Sequence, residues 1–423
     1  MGMQAPTLAE LRMIRTFATT MYAEKAKRRY AAWVQGDPLA RAGLAPWHEN
    51  PYPMYEQVRA RGALSKTRVP GVRVSMDHDL CAAVLKSRDF GSVGREAPGR
   101  ESGEIDLSLL DMNPPDHTRV RRVAAPAFTP RRMAAYETSI EKTVHQLLDD
   151  AERQGSFDLQ RALSAPLPIT VISELLGVPD ADSDTFLRYG TALGSALDGI
   201  QSMRHARRAY EAKYALERMF GRLIEERRTD PRDDMITLLS QQEGEAIKAS
   251  EMLPLCQLLL VAGFETTVNL IGNAVHQLLR HPDQWELLVA DPEGRAPGVV
   301  EETLRFEAPV QFTSRVAMND TEIHGHEVPK DRWVLIGLGG TGRDPKTFAR
   351  PHEFDITRTD NADHLAFSSG IHYCVGAPLA RLEAQVALRL LAERMPRLHL
   401  TGDVPIRRSV TIRGVQRLPV AAA

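Results

Sequence analysis

The chain has 423 residues, enough for one large domain or for two or three ordinary ones. Hydrophobic residues make up 43% and charged residues 26%, which excludes wholesale disorder; Gly (29) and Pro (27) sit too near average usage for a low-complexity or collagen-like chain. Lys and Arg number 53 against 55 Asp and Glu, a net charge of −2 that gives no global reason to expect nucleic acid or an anionic membrane. Cys81, Cys256 and Cys374 are too few and too scattered for a disulfide framework or, alone, a cysteine-rich zinc or iron–sulfur site. A reducing, cytoplasmic setting fits them best.

No run of eighteen apolar residues occurs, so no transmembrane anchor is expected. The start lacks the pattern of a signal peptide. Residues 1–45 read as an N-terminal extension with an amphipathic helix: Leu11, Ile14, Phe17, Ala18 and Met21 share one face, and Arg12, Arg15, Lys25, Lys27, Arg28 and Arg29 lie nearby. Packing of this helix on the protein's own body is expected, with peripheral membrane contact by residues 8–34 as the alternative. Residues 46–423 read as the main domain. Phe90 to Asp111, rich in Gly, Ser and charge, reads as a long loop, and loops of that length are usually functional or disordered.

Helical patterns dominate from Asn113 to Glu307. Thr129-Pro130 suits a cap followed by a first-turn proline. A long helix is expected from a cap at Ser250 to Arg280, apolar on most sides and so buried through the middle of a large domain. After Pro309 short strands follow at Gln311–Val316, His326–Val328 and Trp333–Ile336, then a helix from about Ala377, then further strands between Leu398 and Arg417. The fold expected is mainly α with a minor β portion.

Five segments could carry chemistry. Cys374 lies in Phe367-Ser-Ser-Gly370-Ile-His372-Tyr-Cys374-Val-Gly376, just before that last helix, whose unpaired N–H groups and partial positive charge should lower the thiol pKa. Gly370 and Gly376 would let the backbone turn and approach a ligand, making the thiolate a metal ligand or a nucleophile. Glu302-Thr-Leu-Arg305 pairs a carboxylate and a guanidinium at i,i+3, a pattern that Glu56–Arg59 and Glu225–Arg228 also match. Ala262-Gly263-Phe264-Glu265-Thr266-Thr267 interrupts the long apolar helix with glycine, acid and hydroxyl, which suggests a proton-handling site facing a cavity. His117 and Arg121 share a helical face at i,i+4 and suit either an anionic ligand or solvent. Gly337-Leu-Gly339-Gly340-Thr-Gly342 fits the dinucleotide fingerprint, but Arg343-Asp344-Pro345 follows where a helix is required, and an NAD site is set aside.

Together these segments resemble the cytochrome P-450 family of haem-thiolate monooxygenases in the soluble bacterial style, most specifically through the F-x-x-G-x-H-x-C-x-G loop at Phe367–Gly376. Ser368 stands where many members have glycine. The resemblance implies a single helix-rich domain holding haem b (iron protoporphyrin IX), with Cys374 as proximal iron ligand. It implies that His117, Arg121, Arg315 and His372 bind the propionates, that Ala262 and Gly263 adjoin the haem with Gly263 opening room for dioxygen, and that Phe367, Gly370 and Gly376 shape the cysteine loop. Glu265 and Thr266 would be the catalytic acid–alcohol pair, relaying protons for O–O scission. Glu302, Arg305 and Arg343 would form a structural network beneath the haem.

The activity implied is insertion of one oxygen atom of O2 into a hydrophobic small molecule, the other leaving as water. Electrons would come from NAD(P)H through a ferredoxin reductase and a ferredoxin-type donor, which would dock near Arg119, Arg122, Arg131 and Arg132. Substrate contacts would come from the Phe90–Asp111 loop, Leu258, Leu259, Ala262 and Val310–Thr313. The alternatives are a non-catalytic haem-binding helper subunit of the same fold and a colourless thiol hydrolase using Cys374 with His372 or His117.

Overall fold

The computed structural model describes residues 8–94, 108–179, 183–198 and 202–422. Helices dominate: α1 (Leu8–Trp33), α2 (Pro38–Ala42), α3 (Tyr52–Arg59), α4 (His78–Lys86), α5 (Asp116–Ala124), α6 (Pro130–Gln154), α7 (Pro166–Leu176), α8 (Ser183–Gly194), α9 (Met203–Thr229), α10 (Met235–Gln241), α11 (Ala249–Arg280), α12 (Pro282–Ala290), α13 (Pro292–Phe306), α14 (Leu338–Thr341) and α15 (Ala377–Arg394). The strands are short: β1 (Ser65–Lys66), β2 (Val72–Ser75), β3 (Phe90–Gly91), β4 (Ser156–Asp158), β5 (Thr313–Ala317), β6 (Thr321–Ile323), β7 (His326–Val328), β8 (Trp333–Ile336), β9 (His399–Leu400) and β10 (Pro419–Ala421). One mixed sheet runs β1-β2-β8-β5-β3, with β2 and β8 parallel; β4-β10-β9 and the β6–β7 hairpin stand apart. This is the helix-rich architecture with minor sheets that the sequence leads one to expect.

The axis of the fold is α11, whose 32 residues reach about 48 Å at 1.5 Å per residue. By length and composition it could cross a membrane, yet most of it lies inside the protein. Leu255, Leu260, Ile271, Ala274, Val275 and Leu278 are fully buried, and α7, α8, α9, α13 and α15 pack around it. A helix apolar on most sides is stable in water only when so enclosed. Its start differs from expectation: Glu251, not Ser250, caps it, accepting the Lys248 N–H at 2.8 Å. At α6, Thr129 holds the cap position, but its hydroxyl donates to the Pro126 carbonyl.

The expected packing of α1 on the body is seen along its C-terminal part. Its contacts gather at the C-terminal end, where Ala32 is buried and accepts from Arg41 at 2.9 Å, while Phe17, Tyr22, Tyr30 and Trp33 are exposed. The side chains of Leu11, Arg12 and Ile14 fall outside the described set. Of the expected 90–111 loop, Phe90–Gly91 pairs with β5 and Ser108–Asp111 forms a 3-10 turn, while residues 95–107 lie outside the described residues.

The tail is less regular than expected. Between β9 and β10 it is held by single bridges, Ile406 to Val415 and Val310 to Ile412, and by Arg413, which pairs with Glu307 and donates to the His48 and Glu49 carbonyls at 2.9 Å each. After β8 a single helical turn, α14, forms within the glycine run, and no helix follows Gly342, as Arg343-Asp344-Pro345 leads one to expect. The glycines of the run serve packing: side chains at Gly337 or Gly340 would strike Met76, and one at Gly342 the Arg305 carbonyl.

Candidate active site

Cys374 sits where its loop runs into α15. Its N–H donates to the Phe367 carbonyl at 2.9 Å, closing the loop on itself. Gly370 is required there, since its φ is +66° and a side chain would collide with the Leu85 carbonyl. Gly376 has an ordinary φ of −85° and a Cβ there would make only an ordinary 3.8 Å contact with Phe128, so it is not needed for a sharp turn. Ser368 has a φ of +63°, a left-handed conformation that costs a non-glycine residue about 1–2 kcal/mol.

The expected lowering of the Cys374 pKa is also corrected. Burial pushes the thiol up, and the Gly376 and Ala377 N–H groups with Arg121 and Arg381 offset this only in part. Keeping the thiolate therefore calls for more than the helix end, and a coordinated metal would supply it.

Four groups of positive character converge beside this loop. His117 and Arg121 come from α5, Arg315 from β5 and His372 from the loop; the two imidazoles lie with centroids 4.1 Å apart and planes tilted by 45°. Burial and the neighbouring arginines push His117 down to about 4 and His372 to about 3, and burial alone takes Arg315 to about 10. Arg121 donates to the Tyr373 carbonyl at 2.6 Å, and His372 shares a hydrogen bond with Ser92 at 3.0 Å. His117 is 1% exposed, yet neither ring nitrogen has a partner in the protein. Among the described residues no carboxylate pairs with any of the four. A buried arginine beside a buried imidazole with neither ring nitrogen partnered suits an anionic group, so the residues present fit a haem, whose propionates they would hold and whose iron Cys374 would ligate.

α11 runs unbroken through Ala262–Thr267, as the single long helix expected from Ser250 to Arg280 requires. Its polar side chains bond to its own carbonyls: Thr266 to Ala262 at 2.8 Å, Thr267 to Gly263 at 3.1 Å and Asn269 to Glu265 at 2.7 Å. Ala262 is exposed and Thr266 half-buried in the middle of an enclosed helix, so this turn faces open space within the fold. Gly263 is turned elsewhere. A side chain there would meet Ile172 of α7 at 2.9 Å, so the glycine makes room for α7. Glu265 is 2% exposed and ion-paired to Arg407 at 2.5 Å.

Glu302 and Arg305, both fully buried, form a two-bonded pair at 2.7 and 2.8 Å. Arg305 also donates to the carbonyls of Gly342, Pro351 and Glu353 at 2.7, 2.9 and 2.8 Å, so the pair ties α13 to the chain after α14. The third member is not Arg343. That guanidinium lies between the Tyr52 and Phe306 rings, 3.4 and 3.6 Å from their centroids, and donates to the Phe306 carbonyl at 2.8 Å. Arg358 approaches Glu302 instead, at 3.4 Å.

Sequence reasoning missed a second clamp. Arg381 of α15 grips Glu301 at 2.5 and 3.0 Å, reaches the Tyr373 hydroxyl at 3.1 Å and covers the Phe367 ring at 4.6 Å, holding the loop that leads to Cys374. Its signal was only an acid beside Glu302 and a cation in α15. Among the expected substrate contacts, Gln311 and Phe312 turn into the core against Tyr55. Leu258 and Leu259 are buried, whereas Val310 and Thr313 are half-buried.

The Cytochrome P450 family model matches residues 296–395, the stretch that contains Glu302, Arg305 and Cys374. The chain is 39% identical over 386 residues to the cytochrome P450 monooxygenase PikC of Streptomyces venezuelae, covering 88% of this chain and 91% of that one. It is 40% identical over 315 residues to the 6-deoxyerythronolide B hydroxylase of Saccharopolyspora erythraea, covering 73% and 76%. The crystal structure of P450BioI in complex with hexadec-9Z-enoic acid ligated acyl carrier protein superposes with a TM-score of 0.83 at 35% identity, covering 89% of this chain and 99% of that one. The chain therefore belongs to the cytochrome P450 family. It is a haem-dependent monooxygenase.

Proposed function

We propose that this protein hydroxylates or epoxidises a hydrophobic small molecule, using dioxygen, two electrons from a separate ferredoxin-type donor ultimately reduced by NAD(P)H, and protons passed through Glu265 and Thr266. When bound, the haem supplies the iron at which dioxygen is reduced and cleaved. Cys374 would ligate it, while His117, Arg121, Arg315 and His372 would hold its propionates. The single observation that carries the reading is the turn Ala262–Thr266, open on one side and backed by a buried carboxylate on the other. The 6-deoxyerythronolide B hydroxylase, and P450BioI in complex with an acyl carrier protein ligated to hexadec-9Z-enoic acid, support an apolar substrate class. Cys81 and Cys256, buried with thiols pushed up to about 12, are inert and suit the cytoplasm.

The test is the Glu265→Gln, Thr266→Ala double variant, loaded with haem and supplied with a surrogate ferredoxin, its reductase and NADPH. Product per NADPH should fall at least roughly a hundredfold, the usual worth of a positioned proton donor, with electrons diverted to hydrogen peroxide. An unchanged yield would favour the helper subunit.

Donor docking needs revision. Arg119 is tied to Glu251 and Asp116, and Arg132 to Asp233, so half the expected patch is neutralised internally. Arg122 and Arg131 stay exposed and carry the docking role for an acidic donor. Reduction should slow as ionic strength rises and the Debye length shrinks below about 10 Å, and stopped-flow reduction at several salt concentrations checks this.

A further inference from the structure

Arg407 lies on the irregular hairpin before β10, far in sequence from Glu265, yet its guanidinium meets the Glu265 carboxylate at 2.5 Å. The hairpin is seated firmly. Arg407 donates its N–H to the Gly414 carbonyl at 2.9 Å, and Gln160 donates to the Val415 carbonyl at 2.8 Å. Any side chain at Gly414 would run into Asn269, the residue that bonds the Glu265 carbonyl. On another side the carboxylate lies against α8, where a side chain at Gly194 would collide with it. The Glu265 side chain is 3% exposed and that of Arg407 is 22% exposed, so the arginine joins an enclosed acid to solvent.

We propose that Arg407 is the positioning residue for Glu265: it holds the carboxylate ionised and aimed toward the C-terminal hairpin, and its release lets Glu265 take a proton from solvent and pass it to the Thr266 side of α11. This deepens the monooxygenase reading and rests on it. The step balances simply. One proton arrives on a Glu265 oxygen as the ion pair opens, the same proton leaves toward Thr266, and the pair re-forms; no electrons move. A buried carboxylate without its cation would be held neutral, so Arg407 also keeps the acid available as a base toward solvent.

The test reads Glu265 directly. Infrared difference spectra of wild type minus Glu265→Gln, recorded across pH, isolate the Glu265 carboxyl stretch. Wild type should show an ionised carboxylate at neutral pH. R407Q should show the protonated carbonyl band persisting into neutral pH, a displacement of roughly two pH units or more, and R407K should restore the ionised form. The pH profile of product yield should move the same way. Identical Glu265 titration in wild type and R407Q overturns the proposal. Should R407Q fail to fold, a protonated band for Glu265 in wild type at neutral pH overturns it equally. An intact thiolate-haem spectrum in the same samples separates this failure from failure of the monooxygenase reading.

Discussion

Glu302→Ala should cost about 3–5 kcal/mol of folding stability, and little soluble, haem-loaded protein should be recovered. Glu302 and Arg305 are both fully buried. Removing one partner of such a pair leaves an uncompensated charge in the interior, which is far worse than never having buried the pair. Arg305 would keep its three carbonyl acceptors but lose its counter-ion, and Arg358 would lose the same carboxylate. The Asp355 N–H, which donates to Glu302 at 2.9 Å, would be stranded as well. The arrangement also predicts which arginine is coupled to the pair. In double-mutant cycles by chemical denaturation, Glu302→Gln should couple with Arg358→Met and add independently with Arg343→Met, whose side chain rests on aromatic rings. Coupling to Arg343 and none to Arg358 would refute the assignment.

Arg315→Met should weaken haem binding while stabilising the haem-free protein. Each charge-assisted bond to a propionate is worth about 1.5–3 kcal/mol. Losing Arg315 together with Arg121→Met should therefore weaken haem affinity by roughly a hundred- to ten-thousand-fold. Without an anion nothing offsets the burial that lowers both His117 and Arg315, and Arg121 and Arg315 disfavour the charged form of His117 further. The sign for pH follows. The folded, haem-free state binds the His117 proton only below about pH 4, whereas the unfolded chain binds it near the ordinary 6.5. The unfolded state thus carries more protons in between, and haem-free stability should fall as pH drops through that window. Haem titration and thermal melts at pH 5 and 7, with and without haem, check all three signs. A variant that melts lower in both states would show that Arg315 serves packing instead.

What could be read early is what is local. The cysteine loop, the turn at Ala262–Thr266 and the Glu302–Arg305 spacing each lie within ten residues, so motif order and helical period sufficed. α11 was legible because a helix apolar on most sides has only one stable environment in water. The misses are long-range or electrostatic. Arg358, Arg381 and Arg407 find their acids across large sequence separations, and nothing in a run of arginines says which will be buried. The packing of Gly263 against Ile172 of another helix is likewise invisible along α11 itself. The thiol shift failed because the helix end was weighed without the burial of the loop around it. Arg119 and Arg132 looked free because their partners, Glu251 and Asp233, lie on other segments.

The most direct measurement is the carbon monoxide difference spectrum of the reduced protein, taken for wild type and Cys374→Ser side by side. The account predicts the thiolate-haem band in wild type and its disappearance in the serine variant, with haem still retained in part by the cationic cradle. A wild-type protein that takes up no iron porphyrin, or a serine variant whose band is unchanged, would contradict it.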